Sequence, residues 1–185
     1  MRRDGALLEP AAASEATPSG APAELCAFRV GDEEYAIDLR RVREILQPLP
    51  ITAVPRAPEF LDGMIDVRGE VIPVIDVRRR LGLPARTTPR HKVLVVNVAG
   101  RVLGLIVDAV IEVMRLPRTA IGPPPLASAG AAPLYLGVCS ARERPGVRTA
   151  QRKLRLLLNV KALLSPGAPE VAALARAQGG SLGQA

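Results

Sequence analysis

The stretch Leu61-Asp62-Gly63-Met64-Ile65-Asp66-Val67-Arg68-Gly69-Glu70-Val71-Ile72-Pro73-Val74-Ile75-Asp76-Val77-Arg78-Arg79-Arg80-Leu81-Gly82-Leu83 decides how this chain folds. Two β-branched runs flank Arg68-Gly69, the pattern of a hairpin whose glycine supplies positive φ and whose arginine stands exposed at the tip. After Asp76 the apolar period changes from that of a strand to that of a helix, and Gly82 with Pro84 stops a short basic helix.

Outward from this hairpin the chain repeats itself. A shift of 68 residues aligns Phe28 with Val96, Val30 with Val98, Ala36 with Gly104, Leu39 with Val107, Val42 with Val110, Glu44 with Glu112 and Ile45 with Val113. Both halves then read strand, tight turn, strand, and Val-x-Glu-apolar-apolar. Farther on, Gly63 aligns with Gly137 at an offset of 74, and Val74-Ile75-Asp76-Val77 with Leu157-Leu158-Asn159-Val160 at an offset of 83. The growth from 74 to 83 marks an insertion of 9 residues, a polar basic loop over Arg142 to Lys153 with Pro145 and Gly146 at its middle.

A duplicated unit of five short strands cannot leave its edges open cheaply, and curling closes most of them. The expected fold is all-β: two small five-stranded β-barrels related by pseudo-twofold symmetry, spanning 26–90 and 91–165, with short helices after the barrel strands. Residues 1–24, rich in Ala, Pro, Ser and Glu, lack apolar periodicity and read as a disordered tail. Residues 167–185 read as a second tail carrying a short helix over Pro169 to Gln178, and Pro123 to Ala132 as a structureless connection. Strand alternation points Cys26, Phe28 and Val30 inward and Ala27 and Arg29 to solvent. Lys92 to Val98 is apolar on both faces, which places it at the contact between the barrels.

Composition narrows the function. Of 185 residues 48% are hydrophobic but only 2% aromatic, so Val, Ile, Leu and Ala build the core. No apolar run reaches the 18 or so residues of a membrane span and no signal-peptide pattern opens the chain, so the expected compartment is cytoplasmic. Cys26 and Cys139 sit in strand-like apolar runs and read as small buried hydrophobes. The net charge of +7 is concentrated in Arg78-Arg79-Arg80, Arg86, Arg90 and Lys92, and in Arg142, Arg144, Arg148, Arg152, Lys153 and Arg155. Small barrels that bind nucleic acid add stacking aromatics to such patches. Here Phe28, Tyr35, Phe60 and Tyr135 all lie in apolar contexts, so an acidic protein partner explains the charge better than RNA.

Catalytic groups are scarce. The single histidine, His91, lies between Arg90 and Lys92 and reads as a solvated loop residue; Asp32, Glu33 and Glu34 read as the acidic tip of a hairpin. No metal site is expected for want of ligands. Gly100, Gly104 and Gly122 lack the spacing of a phosphate loop. Binding through surfaces is what remains. Arg68 is either a solubilising charge or a planar fork that recognises carboxylates or carbonyls on a partner. Glu44 is either a polar edge residue or a contact, and the retention of Glu112 in the second copy leaves open a role in the barrel itself. Val42 and Ile45 beside it suit a core as well as an interface.

With Val54-Pro55-Arg56-Ala57-Pro58 upstream, the hairpin and helix resemble the CheW family of bacterial chemotaxis coupling proteins, whose pattern is roughly LPxAPxxxxGxxNxRGxxxPVxDLRxRLG. Asp66 stands where that family usually has Asn. The resemblance covers about residues 25–166, and what it implies is a non-catalytic cytoplasmic adaptor, without cofactor, between the tips of membrane-bound chemoreceptors and the histidine kinase CheA. It also implies that Arg68 and Glu44, with Val42 and Ile45, touch the receptor, and that the second barrel, about 103–121, faces the kinase. A paralogue serving gliding, pilus motility or another kinase pathway is the alternative.

Overall fold

A computed structural model of the chain describes residues 21–84, 90–124, 134–140 and 154–164. The basic loop 142–153, the helix at Pro169 to Gln178, the connection 125–132 and residues 1–20 of the first tail lie outside the described residues. Among the described residues eleven strands and two one-turn α-helices follow one another: β1 (Ala23–Val30), β2 (Glu33–Asp38), β3 (Val42–Leu46), β4 (Leu61–Val67), β5 (Glu70–Asp76), α1 (Val77–Arg80), β6 (Lys92–Val98), β7 (Arg101–Val107), β8 (Ala109–Leu116), β9 (Ile121–Gly122), β10 (Tyr135–Ser140), β11 (Leu154–Leu158) and α2 (Val160–Leu163). The fold is all-β with short helices after β5 and β11, as expected. β1 begins two residues inside the expected first tail.

One sheet has the order β3-β6-β7-β5-β4, the other β8-β1-β2-β11-β10-β9. The division at residue 90 therefore separates the two copies of the repeat and does not separate the sheets. Each sheet takes its first hairpin from one copy and its remaining strands from the other. Apolar alternation is the same whether a strand pairs within its own copy or across, so periodicity alone does not reveal the exchange. The second sheet also has six strands where five were expected, because β9 forms a two-residue ladder with β10 at the place where the first copy makes the single Thr52–Met64 bridge.

The pseudo-twofold extends to register. β5 runs parallel to β7 with Val74 opposite Gly104, and β11 runs parallel to β2 with Leu157 opposite Ala36, the same pairs under the offsets of 83 and 68. Bulges recur too. The ladder slips at Arg43 in β3 and at Ile111 in β8, and again at Asp62 in β4 and Leu136 in β10.

Gly63 and Gly137 are required by closure. A Cβ on Gly63 would meet Thr52 O at 2.4 Å and Ile51 Cγ2 at 2.6 Å; on Gly137 it would meet Gly122 O at 2.7 Å and Ile121 Cγ2 at 2.8 Å. In both copies the chain leaving an edge strand crosses to the opposite edge and lies against this glycine. The caps match as well: Asp76 Oδ1 accepts from Arg78 N at 2.8 Å, and Asn159 Oδ1 from Lys161 N at 3.2 Å.

Burial follows the exchange. The largest cluster joins the sheets, with Cys26, Phe28, Val30, Tyr35 and Ile37 from one against Leu94, Val96, Leu103 and Leu105 from the other. The opposite face of β6, with Val93 and Val95, fills the curl of its own sheet together with Ile65, Ile72 and Val74. So β6 is buried on both faces, and β1, its repeat mate, behaves the same way. Ala27 was expected in solvent; it is fully buried, because the curl of the second sheet closes over the face it occupies.

Candidate partner-binding site at a barrel mouth

Arg68 and Gly69 form the β4–β5 turn with φ of 56° and 88°, the left-handed pair that matches the twist of a two-residue hairpin. Asp66 stabilises it by accepting from Gly69 N at 2.6 Å. In the repeat Asn97 does the same for Gly100 N at 3.0 Å, so Asp and Asn are equivalent at this position within one molecule.

From that turn Arg68 Nη2 donates to Glu44 Oε2 at 2.8 Å, with the Arg68 side chain 80% exposed and that of Glu44 26%. Beside them Arg43 Nη1 lies 3.6 Å from Glu70 Oε2. The bulge at Arg43 shifts the alternation of β3 and turns Glu44 toward the open end of its sheet. There the four charges ring a cavity of about 180 Å³ floored by Ile72, Val95 and Val102. Of the apolar neighbours, Ile45 is 46% exposed, whereas Val42 packs onto the central cluster. The structure thus brings Glu44 and Arg68 to one mouth, leaves Ile45 exposed on the other face of β3, and gives Val42 to the core.

The repeat mate of Glu44 has a different fate. Arg155 Nε donates to Glu34 Oε2 and Arg155 Nη1 to Glu112 Oε1, each at 2.8 Å, with the Arg155 side chain only 5% exposed. Burial works against the guanidinium, yet these two carboxylates hold its pKa above the ordinary arginine value. Glu112 therefore serves its own barrel. The residues that made the difference are mates at offsets of 83 and 68: Arg155 stands in the second sheet where the first sheet has Ile72, and Glu34 where it has Val102. In the sequence Arg155 reads as one of the cations beside the basic loop and Glu34 as part of a solvated tip. Only the pairing of β11 with β2, strands far apart in the chain, brings the two together.

Much of the other basic cluster is also consumed internally. Arg78 is 7% exposed and forks onto Asp108, its Nε donating to Oδ1 at 3.0 Å, while Gly31 N donates to Asp108 Oδ2 at 2.7 Å. Arg79 reaches Asp62 at 3.1 Å. Arg80 lies over the Phe60 ring at 4.4 Å and donates to Leu163 O at 2.7 Å, at the C-terminal end of α2. His91, expected in solvent, is half-buried.

Cations that the sequence did not single out border a larger cavity of about 330 Å³: the exposed Arg40, Arg115 and Arg118 and the half-buried Arg41, over Leu25, Ile121 and Leu157. Arg40 pairs with Asp38 at 2.7 Å and Arg115 with Glu24 at 3.5 Å. Hydrogen bonding from Arg40 holds the Asp38 carboxyl below its usual value.

In the region 103–121, Leu103, Leu105 and Val107 are buried, while β8 forms a sheet edge with Ile111 and Val113 outward, 36% and 55% exposed. Among the described residues no group of three or more His, Cys, Asp or Glu is placed to hold a metal, and no helix is long and apolar enough to cross a membrane. Burial raises the thiol pKa of Cys26 and of Cys139, the latter partly offset by Arg155.

A family profile described as the CheW-like domain matches residues 24–166. The chain is 37% identical over 153 residues to the "Probable chemotaxis protein CheW" of Rhizobium etli, across 80% of this chain and 92% of that one. It is 39% identical over 119 residues to "Protein FrzA" of Myxococcus xanthus, across 64% of this chain and 74% of that one. The crystal structure of the scaffolding protein TtCheW from Thermoanaerobacter tengcongensis is similar with a TM-score of 0.67 and 29% sequence identity, covering 80% of this chain and 97% of that chain. With its hairpin motif, its paired sheets and this profile in agreement over the whole β region, the chain belongs to the CheW family of chemotaxis scaffold and adaptor proteins.

Proposed function

We propose that this chain is a non-catalytic adaptor that couples the cytoplasmic tips of chemoreceptors to the histidine kinase CheA, and that the Glu44–Arg68 mouth, with Ile45, holds the receptor. The observation that carries this reading is the divergence of two equivalent carboxylates. Both carboxylates are partly exposed, but Glu112 is held by a buried arginine, whereas the arginine on Glu44 is itself 80% exposed and does little for the fold. A carboxylate whose cation is exposed and weakly held, in place of one buried in the fold, is suited to a partner. The kinase side belongs to the exposed edge of β8, since β7 is internal.

Such an adaptor works in the cytoplasm at membrane-bound receptor arrays. It transmits a signal because its contacts differ in free energy between kinase-on and kinase-off states. Repetition across an array makes individually weak contacts sufficient. The test is co-sedimentation of the full chain with receptor-containing membranes in the presence and absence of CheA. Receptor-dependent pelleting of the parent and its loss in Arg68→Ala are expected; pelleting indifferent to receptor would overturn the reading. The likeness to FrzA favours one second reading, a paralogue serving another kinase pathway. In that case binding would follow a different kinase and its receptors.

A further inference from the structure

The two barrel mouths are the same site in two states of occupation. In the second sheet Arg155 lies between Glu34 and Glu112 with its charge almost wholly withdrawn from water. In the first sheet the mates of those three residues are Ile72, Val102 and Glu44, and together they line the cavity of about 180 Å³. The flanking positions also correspond: Val71 and Leu154, just before the exchanged pair, are 61% and 66% exposed. One sheet therefore buries its own guanidinium against the carboxylate, and the other keeps the carboxylate and the space but meets it only with the exposed Arg68 of the turn.

We propose that the mouth formed by Glu44, Ile72, Val95 and Val102 is a socket for an arginine side chain presented by a partner protein, which takes against Glu44 the position that Arg155 takes against Glu112. This rests on the adaptor reading for the identity of the partner, but not for the existence of the socket. Arg68 is the group that the incoming arginine displaces, and it is suited to yield: its pair with Glu44 is solvent-exposed, and such pairs are weak. The entering guanidinium finds apolar walls for its stem and a carboxylate for its head, a pairing arginine favours over lysine because of its planar fork. Once released, Arg68 is free to meet a carboxylate on the same partner.

The experiment titrates the full-length chain with N-acetyl-arginine amide, and separately with the citrulline analogue, which has nearly the same shape and no charge, following backbone amide shifts by NMR. Saturable shifts at Glu44, Val95 and Val102, with the arginine probe at least about 10-fold the tighter, are expected. Glu44→Gln should remove the response. Ile72→Arg, which delivers a guanidinium from within as Arg155 does, should remain folded and no longer respond. Equal response to both probes, shifts elsewhere, an unaltered response in Glu44→Gln, or unfolding of Ile72→Arg would each overturn the socket. A chain that binds the probe but fails to pellet with receptors loses the adaptor reading and keeps the socket; the reverse result does the opposite.

Discussion

Arg155→Ala tests whether the buried ion triad is part of the fold. The guanidinium is 5% exposed and reaches Glu34 and Glu112 at 2.8 Å each, and the Glu34 side chain is itself only 11% exposed. Removing one partner of a buried pair costs about 3–5 kcal/mol, because the charge left behind has been taken out of water. For a domain of this size each kcal/mol lowers the melting midpoint by roughly 2–4 °C, so a fall on the order of 10 °C is expected. The repeat supplies the control. Arg155→Ile with Glu34→Val installs the residues that the first sheet uses at Ile72 and Val102, and replacing buried ions by apolar groups is often neutral or better. The double variant should recover most of the loss, while Glu44→Ala at the exposed mate costs at most about 1 kcal/mol. Urea titration and thermal melts followed by circular dichroism measure all three. A double variant no more stable than Arg155→Ala, or an Arg155→Ala chain that melts with the parent, would refute the reasoning.

Arg68→Ala should leave stability within about 0.5 kcal/mol while weakening receptor co-sedimentation, and Arg68→Glu, placed against Glu44, should bind worse still; early melting with binding intact would make Arg68 structural. Gly63→Ala and Gly137→Ala should each cost about 3 kcal/mol in a melt through backbone contacts under 3 Å, and more than Gly69→Ala, whose added Cβ meets nothing within 4 Å. Cys26 and Cys139, with thiol pKa values raised by burial, should react with a disulfide reagent at pH 8 only as fast as the protein opens, and at once in denaturant; fast labelling of the folded chain would contradict their placement. Serine at Arg142, Arg144, Arg148 and Arg152 should slow kinase association at low ionic strength more than at physiological strength, and equal rates at both would remove the loop from the encounter.

The repeat, the hairpin tip, the short helices and the double-sided β6 were legible in the sequence because each has a local signature of period, turn residue or cap. What was not legible depends on pairing at a distance. Ala27 reads as solvent-facing by alternation, and only the closing of the second sheet buries it. Arg78 and Arg155 read as members of basic runs, and only Asp108, 30 residues from Arg78, and Glu34, 121 residues from Arg155, convert them into internal groups. The equivalence of Glu44 and Glu112 was plain; their opposite roles were not, since the residue that decides between them lies on β11, beyond the insertion.

The exchange of hairpins between the copies has a consequence for synthesis. β2 takes as its neighbour β11, whose Arg155 is 121 residues downstream of Glu34. At translation rates of 5–20 residues per second, the first hairpin waits about 6–24 s for that strand to leave the ribosome. During this interval β1 and β2 present two apolar faces and unpaired edges. The N-terminal half of the nascent chain thus keeps apolar surface uncovered until the last strand arrives, and a stop codon after residue 90 would release a fragment that has lost the strands its first hairpin pairs with.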